Sequence, residues 1–258
     1  MRVPAFNCIA TPAASCRIVG LLLAAGLCSM RTSALCAQSP APSPEVRQIV
    51  TFLFQPGRTG DAFTIYEQQL KQIYTDIPSL RRFRAYREVE SPEPLDLVVV
   101  SSYADMAAMD NANEALRRTQ RNGQSALALY GVLSGMTQAH HDQFVEMIDA
   151  LSDTATGGLT VLEYTRLAPG AHVKFEALLR ARVRSFEKAR GLYLWSETGR
   201  MLVSDGWDYL RLYGIRSLGD WQRYVHETQY APFAGEVASL IAARKTIILR
   251  NDPRLSVR

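Results

Sequence analysis

The feature that most constrains this chain is an internal echo. Residues 46–57 read Val-Arg-Gln-Ile-Val-Thr-Phe-Leu-Phe-Gln-Pro-Gly, and residues 159–170 read Leu-Thr-Val-Leu-Glu-Tyr-Thr-Arg-Leu-Ala-Pro-Gly. Each stretch is a short run apolar on both faces, stopped by Pro-Gly and followed by apolar residues at helical spacing. A strand of that kind must be covered on both sides. Further on, Ser102-Tyr103-Ala104-Asp105 and Ser217-Leu218-Gly219-Asp220 share the Ser-x-x-acid pattern that opens a helix. The two Pro-Gly turns lie 113 residues apart and the two caps 115. Such constant spacing marks two copies of one unit.

In the first copy the pattern predicts a strand at 46–54, a helix at 61–74, strands at 80–89 and 95–101, and a helix after the Ser102 cap. The second copy repeats this with a strand at 159–167, a helix through Phe175, Leu178, Leu179, Val183 and Phe186, and strands at 192–196 and 207–215. A helix through Trp221, Tyr224, Val225, Phe233, Val237 and Ile241 follows, then a strand at 246–250. This is the ferredoxin-like order. Its helices cover one sheet face, and a second sheet must cover the other. The expected fold class is therefore α+β: two tandem ferredoxin-like repeats whose antiparallel sheets pack face to face as an α+β barrel. The first copy shows no final strand. Leu129, Leu133, Met136, His140, Phe144, Met147 and Leu151 recur at steps of three or four, so residues 124–151 read as an extra helical segment replacing or following that strand. The expected organisation is repeats at 46–152 and 159–250, a linker at 153–158 and a tail at 251–258.

Residues 1–37 have the order of a secretory signal peptide. A basic stretch without acids leads to the apolar run 18–30 and then to Ser33-Ala34-Leu35-Cys36-Ala37. The run is shorter than the ~20 residues a membrane span needs. The expectation is export to a periplasmic or extracellular location, with a Pro/Ser-rich linker at 38–45 and no membrane span after cleavage. All four cysteines, and Arg2, Arg17 and Arg31, lie in the signal. The mature chain then has no thiolate chemistry or disulfide and is about neutral, which gives no footing for nucleic-acid binding.

The second copy carries a family likeness. Leu162-Glu163-Tyr164-Thr165-Arg166-Leu167-Ala168-Pro169-Gly170 resembles the first strand of NIPSNAP-type proteins. Leu218-Gly219-Asp220-Trp221-Gln222-Arg223-Tyr224, continuing to Tyr230-Ala231-Pro232-Phe233, resembles the last helix of NIPSNAP-type and antibiotic-biosynthesis-monooxygenase-like domains. Both belong to the dimeric α+β barrel superfamily, and the resemblance covers most of residues 46–250. It implies a barrel and leaves the activity open among cofactor-free monooxygenases, heme-binding or heme-degrading proteins, isomerases and proteins without known activity.

Polar residues on strand faces are the candidates for chemistry. Trp207, Tyr209, Arg211, Tyr213 and Ile215 alternate along one strand, with Leu210 and Leu212 between them. Assigning the Leu face to the helices turns the Trp-Tyr-Arg-Tyr face into the space between sheets. There Arg211 would meet an anionic group and the aromatics would form walls. Glu163 falls on the matching face of its own strand. The plainer reading is a structural Glu163–Arg211 pair across the sheet. Arg87 is the first copy's counterpart candidate, while Arg81, Arg82 and Arg84 read as a solvated face. His226 is the candidate heme ligand, because heme-degrading relatives of the resembled superfamily use a helix histidine. His140 sits on an apolar stripe, His141 points elsewhere, and His172 opens a helix. No zinc-like histidine spacing, P-loop, dinucleotide fingerprint or nucleophile elbow occurs, so no metal is expected. The sequence thus predicts a barrel, monomeric or homodimeric, that binds a small apolar or aromatic ligand. Cofactor-independent oxygenation and heme binding are the alternatives, and heme is the one cofactor considered.

Overall fold

The structure, a computed structural model, describes residues 44–121, 123–151 and 158–257. The expectations for residues 1–37, most of the 38–45 linker and nearly all of the 153–158 linker lie outside the described residues. The first copy contains β1 (Val46–Phe54), α1 (Thr59–Ile65), a π-helical turn at Tyr66–Leu70, α2 (Lys71–Thr75), β2 (Leu80–Glu90), β3 (Leu97–Tyr103) and α3 (Met106–Arg118). A small hairpin of β4 (Gln120–Arg121) and β5 (Gln124–Ser125), the helix α4 (Ala126–Ser134) and the long strand β6 (Thr137–Leu151) complete it. The second copy contains β7 (Leu159–Leu167), α5 (His172–Leu178), a π turn at Leu179–Val183, α6 (Arg184–Ala189), β8 (Trp195–Val203), β9 (Tyr209–Ile215), α7 (Leu218–Gln229), α8 (Ala234–Leu240) and β10 (Ile241–Asn251). The two π turns start 113 residues apart, the same offset as the Pro-Gly turns. Asp105 and Ser217 accept backbone N–H groups at the starts of α3 and α7.

Eight strands close into one barrel in the order β1-β3-β2-β10-β7-β9-β8-β6. Each copy supplies four in the ferredoxin-like order of last, first, third, second. The copies join edge to edge, β10 of the second pairing with β2 of the first, and β6 of the first pairing with β8 of the second. Closure removes every free edge from the main sheet. The expected α+β barrel of two ferredoxin-like repeats is what the chain forms.

The last strand of the first copy differs from the sequence reading. Residues 137–151 are a strand, and the helical segment α4 precedes it instead of replacing or following it. Val145 and Met147 pack into the barrel, while Phe144 packs outward against the helices. Residues 140, 144 and 147 also fit helical steps, so periodicity alone could not decide. Pairing on both edges, to β1 and β8, decides for the strand. His140, expected on a buried stripe, is largely exposed and stacks on Phe52. The expected tail is also part of the fold: Val257 bridges to Phe83, and Leu255 is fully buried in the first copy's core. Among the described residues no helix is long and apolar enough to cross a membrane.

Candidate functional site

The barrel interior is full. Ile49, Tyr86, Val98, Val100, Val145, Met147, Leu162, Tyr164, Trp195, Leu210, Leu212, Ile247 and Leu249 form one buried cluster drawn from all eight strands. An eight-stranded barrel is just wide enough for its own side chains. This reverses the expected faces. The Leu face of β9 looks inward, and Tyr209, Arg211 and Tyr213 lie beneath the second copy's helices with Glu163. These residues, expected to line a site between the sheets, therefore lie outside the barrel, under the helices. Trp207 precedes β9 and packs with Tyr164 on the barrel side, so it does not share the Arg211 face. Arg82 and Arg84, read as solvated, are half-buried at one end of the barrel, where Arg82 lies 3.7 Å from Glu197 and Arg84 covers the Trp195 ring.

The open space lies outside the barrel, between the second copy's sheet and its helices. A cavity of about 850 Å³ is walled by Phe175, Leu179 and Val183 on one helical side and by Trp221, Tyr224 and Phe233 on the other. Its sheet floor presents Glu163, Thr165, Thr198, Tyr209 and Arg211. Gln229 and Arg244 line it while exposed to solvent, so they mark its mouth.

Arg211 anchors the floor. Its Nη1 donates to Glu187 Oε1 at 2.8 Å and to Tyr224 Oη at 2.9 Å, and its Nη2 donates to Glu187 Oε2 at 2.5 Å. Its Nε donates to Ser196 Oγ at 3.1 Å, and Tyr224 Oη donates to Glu187 Oε1 at 2.7 Å. Glu187 is wholly buried and Arg211 nearly so. The bidentate geometry is the strong form of this pair. Burial is the largest influence on Arg211 and lowers its pKa, but Glu187, Tyr224 and Glu163 together outweigh it and hold the guanidinium well above its ordinary value. Burial, aided by Glu187, also pushes the Tyr224 phenol well up, so it stays a neutral donor. Nearby Arg184 bonds Thr198 Oγ1 and pairs with Asp149; burial, with Arg211 adding, lowers it to about 10.

The expected structural partner of Arg211 was Glu163. The two are cross-strand neighbours, yet Arg211 turns to Glu187 on α6. Glu163 is 7% exposed, and among the described residues it accepts no hydrogen bond; its ion-pair partner is Arg244 Nε at 3.7 Å. At the other end of the floor, Tyr209 Oη donates to Glu176, which Arg200 grips with two nitrogens.

Of the predicted site residues, Glu163, Arg211 and Tyr209 meet at this cavity. Tyr213 lies behind the floor, stacked on Tyr224. Arg87 is elsewhere, bound to Asp252 and packed on Phe63. His226 is exposed and lies against Tyr230, outside the cavity wall. Heme would need an axial donor, and the described lining holds no imidazole, thiol or thioether. Tyr209 and Tyr224 are already bound to carboxylates. The lining does not fit heme held through His226. Among the described residues no cluster of three or more metal-binding side chains occurs.

Sequence reasoning missed Glu187, although a signal existed. Phe175, Leu179, Val183 and Glu187 stand at four-residue steps, so a carboxylate closes an apolar stripe. The first copy makes the contrast plain. Val50 pairs with Val99 where Glu163 pairs with Arg211, and Tyr74 stands 113 residues before Glu187. The corresponding cavity there is about 350 Å³, with α4 residues Tyr130, Leu133 and Ser134 among its walls.

No family model matches this chain, and no curated protein matches it in sequence. Solved structures do match its fold. A proposed monooxygenase from Lactobacillus acidophilus aligns at a TM-score of 0.58 and 9% identity, covering 81% of this chain and 94% of the other. A proposed monooxygenase from Fusobacterium nucleatum gives 0.57 and 11%, covering 81% and 93%. A chlorite dismutase from Candidatus Nitrospira defluvii in complex with imidazole gives 0.56 and 9%, covering 83% and 93%. At such identities the likeness concerns the fold alone.

Proposed function

We propose that this protein binds a small, largely apolar or aromatic molecule in the cavity beneath the second copy's helices. One observation carries the reading: the barrel core is filled, whereas about 850 Å³ of space remains over a sheet floor that bears a buried arginine, one carboxylate and three hydroxyls. Apolar walls with a few convergent polar groups are the usual make-up of a small-molecule site. The named neighbours, proposed monooxygenases and a chlorite dismutase, support a barrel that handles small molecules. Export to the periplasm or beyond, resting on residues 1–37, belongs to the same proposal.

The test uses Nile red, an uncharged dye whose emission rises in apolar surroundings. The wild-type protein is expected to bind it at one saturable site. Val183→Trp, which places an indole in the cavity, should abolish binding while the melting transition persists. Equal binding by both proteins would sink the reading.

A second reading, cofactor-independent oxygenation of an electron-rich aromatic, draws on Glu163. A buried carboxylate beside aromatic walls is placed to accept a proton from a bound phenol or activated C–H group. Oxygen consumption with the substrate class in question, abolished in Glu163→Gln, is its test.

A further inference from the structure

We propose that the ligand of this cavity is an organic cation, an apolar or aromatic body bearing a protonated amine, and that Glu163 receives the amine. This rests on the cavity being a binding site. Hydrogen bonding on the floor is uneven. Glu187 and Arg211 close a pair, with every guanidinium nitrogen of Arg211 engaged. Arg211 thus directs its hydrogen bonds to Glu187, Tyr224 and Ser196, and reaches Glu163 through its charge alone. Glu163 is left as a carboxylate 7% exposed, lining the cavity and receiving no hydrogen bond from a described donor. A carboxylate has about four lone-pair positions to fill, and an ionised one is costly to bury without partners.

Arg244 does not supply them. Its Nε stands 3.7 Å from Glu163, and about half of its side chain is in solvent at the cavity mouth. An ammonium group entering beside Glu163 could donate up to three hydrogen bonds where none now reach. The walls contribute four aromatic rings, Phe175, Trp221, Tyr224 and Phe233, and a cation is attracted to the faces of such rings. A ligand anion would instead confront Glu163, because the Glu187 and Arg211 charges already offset each other. The first copy has Val50 at the Glu163 position, and its smaller cavity lacks this acceptor.

Three indoles of similar size and different charge provide the test: tryptamine, 3-methylindole and indole-3-acetate, measured by calorimetry at pH 7. Tryptamine is expected to bind roughly tenfold or more tightly than 3-methylindole, the worth of one charge-assisted hydrogen bond. Indole-3-acetate should bind more weakly than either. Glu163→Gln should remove the preference, so that the variant binds tryptamine and 3-methylindole about equally. If wild-type protein binds 3-methylindole or the acetate as tightly as the amine, the charge assignment is wrong. That comparison needs no variant, so a misfolded Glu163→Gln protein cannot protect the proposal. Nile red separates the two readings: saturable dye binding without preference for the amine overturns only this inference, while absence of both dye and indole binding removes the site as well.

Discussion

Replacing Glu187 by Gln tests the buried network most directly. Glu187 has no solvent exposure and accepts three hydrogen bonds, two from Arg211 and one from Tyr224. The amide keeps the shape, but one of its two ends becomes a donor and faces an N–H of Arg211. The charge that offsets the buried guanidinium is lost as well. Removing one partner of a buried pair costs about 3–5 kcal/mol. For a domain of this size that lowers Tm by roughly 6–20 °C, at about 2–4 °C per kcal/mol. The assay is urea and thermal unfolding followed by circular dichroism at neutral pH. The double variant Glu187→Leu with Arg211→Met removes both charges and fills similar volume, so it should cost less than Glu187→Gln alone. The first copy supports such a replacement, since it places Tyr74 and Val99 at these positions. A loss below about 1 kcal/mol for the single variant would refute the pairing argument, as would a double variant no more stable than the single.

Two further outcomes follow from the same geometry. Hydrogen bonds from Arg200 hold the Glu176 carboxyl below its ordinary value of 4.5, against burial and with help from Tyr209. Its stabilising contribution is therefore complete above the unfolded pKa and fades as pH falls through the lower folded one. Glu176→Gln should be less stable than wild type at pH 7, with the gap narrowing below pH about 4.5; a gap constant across pH would contradict the assignment. At the β6–β8 seam, a Cβ on Gly199 would stand 2.3 Å from Val145 Cγ1 and 2.7 Å from the Glu146 carbonyl oxygen. Gly199→Ala should cost about 1–3 kcal/mol. Gly131→Ala, in α4 with open space around the new methyl group, should gain a few tenths of a kcal/mol or more. Equal melting points for the two variants would show that the seam is looser than its distances imply.

The elements themselves were largely legible. Pro56-Gly57, Pro169-Gly170 and the Ser217 cap mark strand ends and helix starts as read, while in the first copy Ser102 stays in β3 and Asp105, three residues on, caps the helix. What misled was the choice of face. Leu162, Leu210 and Leu212 are as suited to a barrel core as to a helix interface, and alternation sorts residues into two sets without naming the inner one. The strand at 137–151 was missed because its apolar residues also satisfy helical steps. Glu187 was passed over because its partner, Arg211, lies 24 residues along the chain on another element.

Local chemistry in the sequence determined two copies, their turns and caps, and an α+β barrel to cover strands that are apolar on both sides. Those are short-range consequences of backbone stereochemistry and hydrophobic pattern. Only the tertiary structure decided which face looks inward, because that depends on eight strands closing around one limited volume. Closure fills the barrel chiefly with Leu, Val, Tyr and Trp, keeps the buried Arg47–Glu197 pair at one end, and turns the charges of the second copy's β7 and β9 outward. There Arg211 finds Glu187, and Glu163 is left facing the cavity.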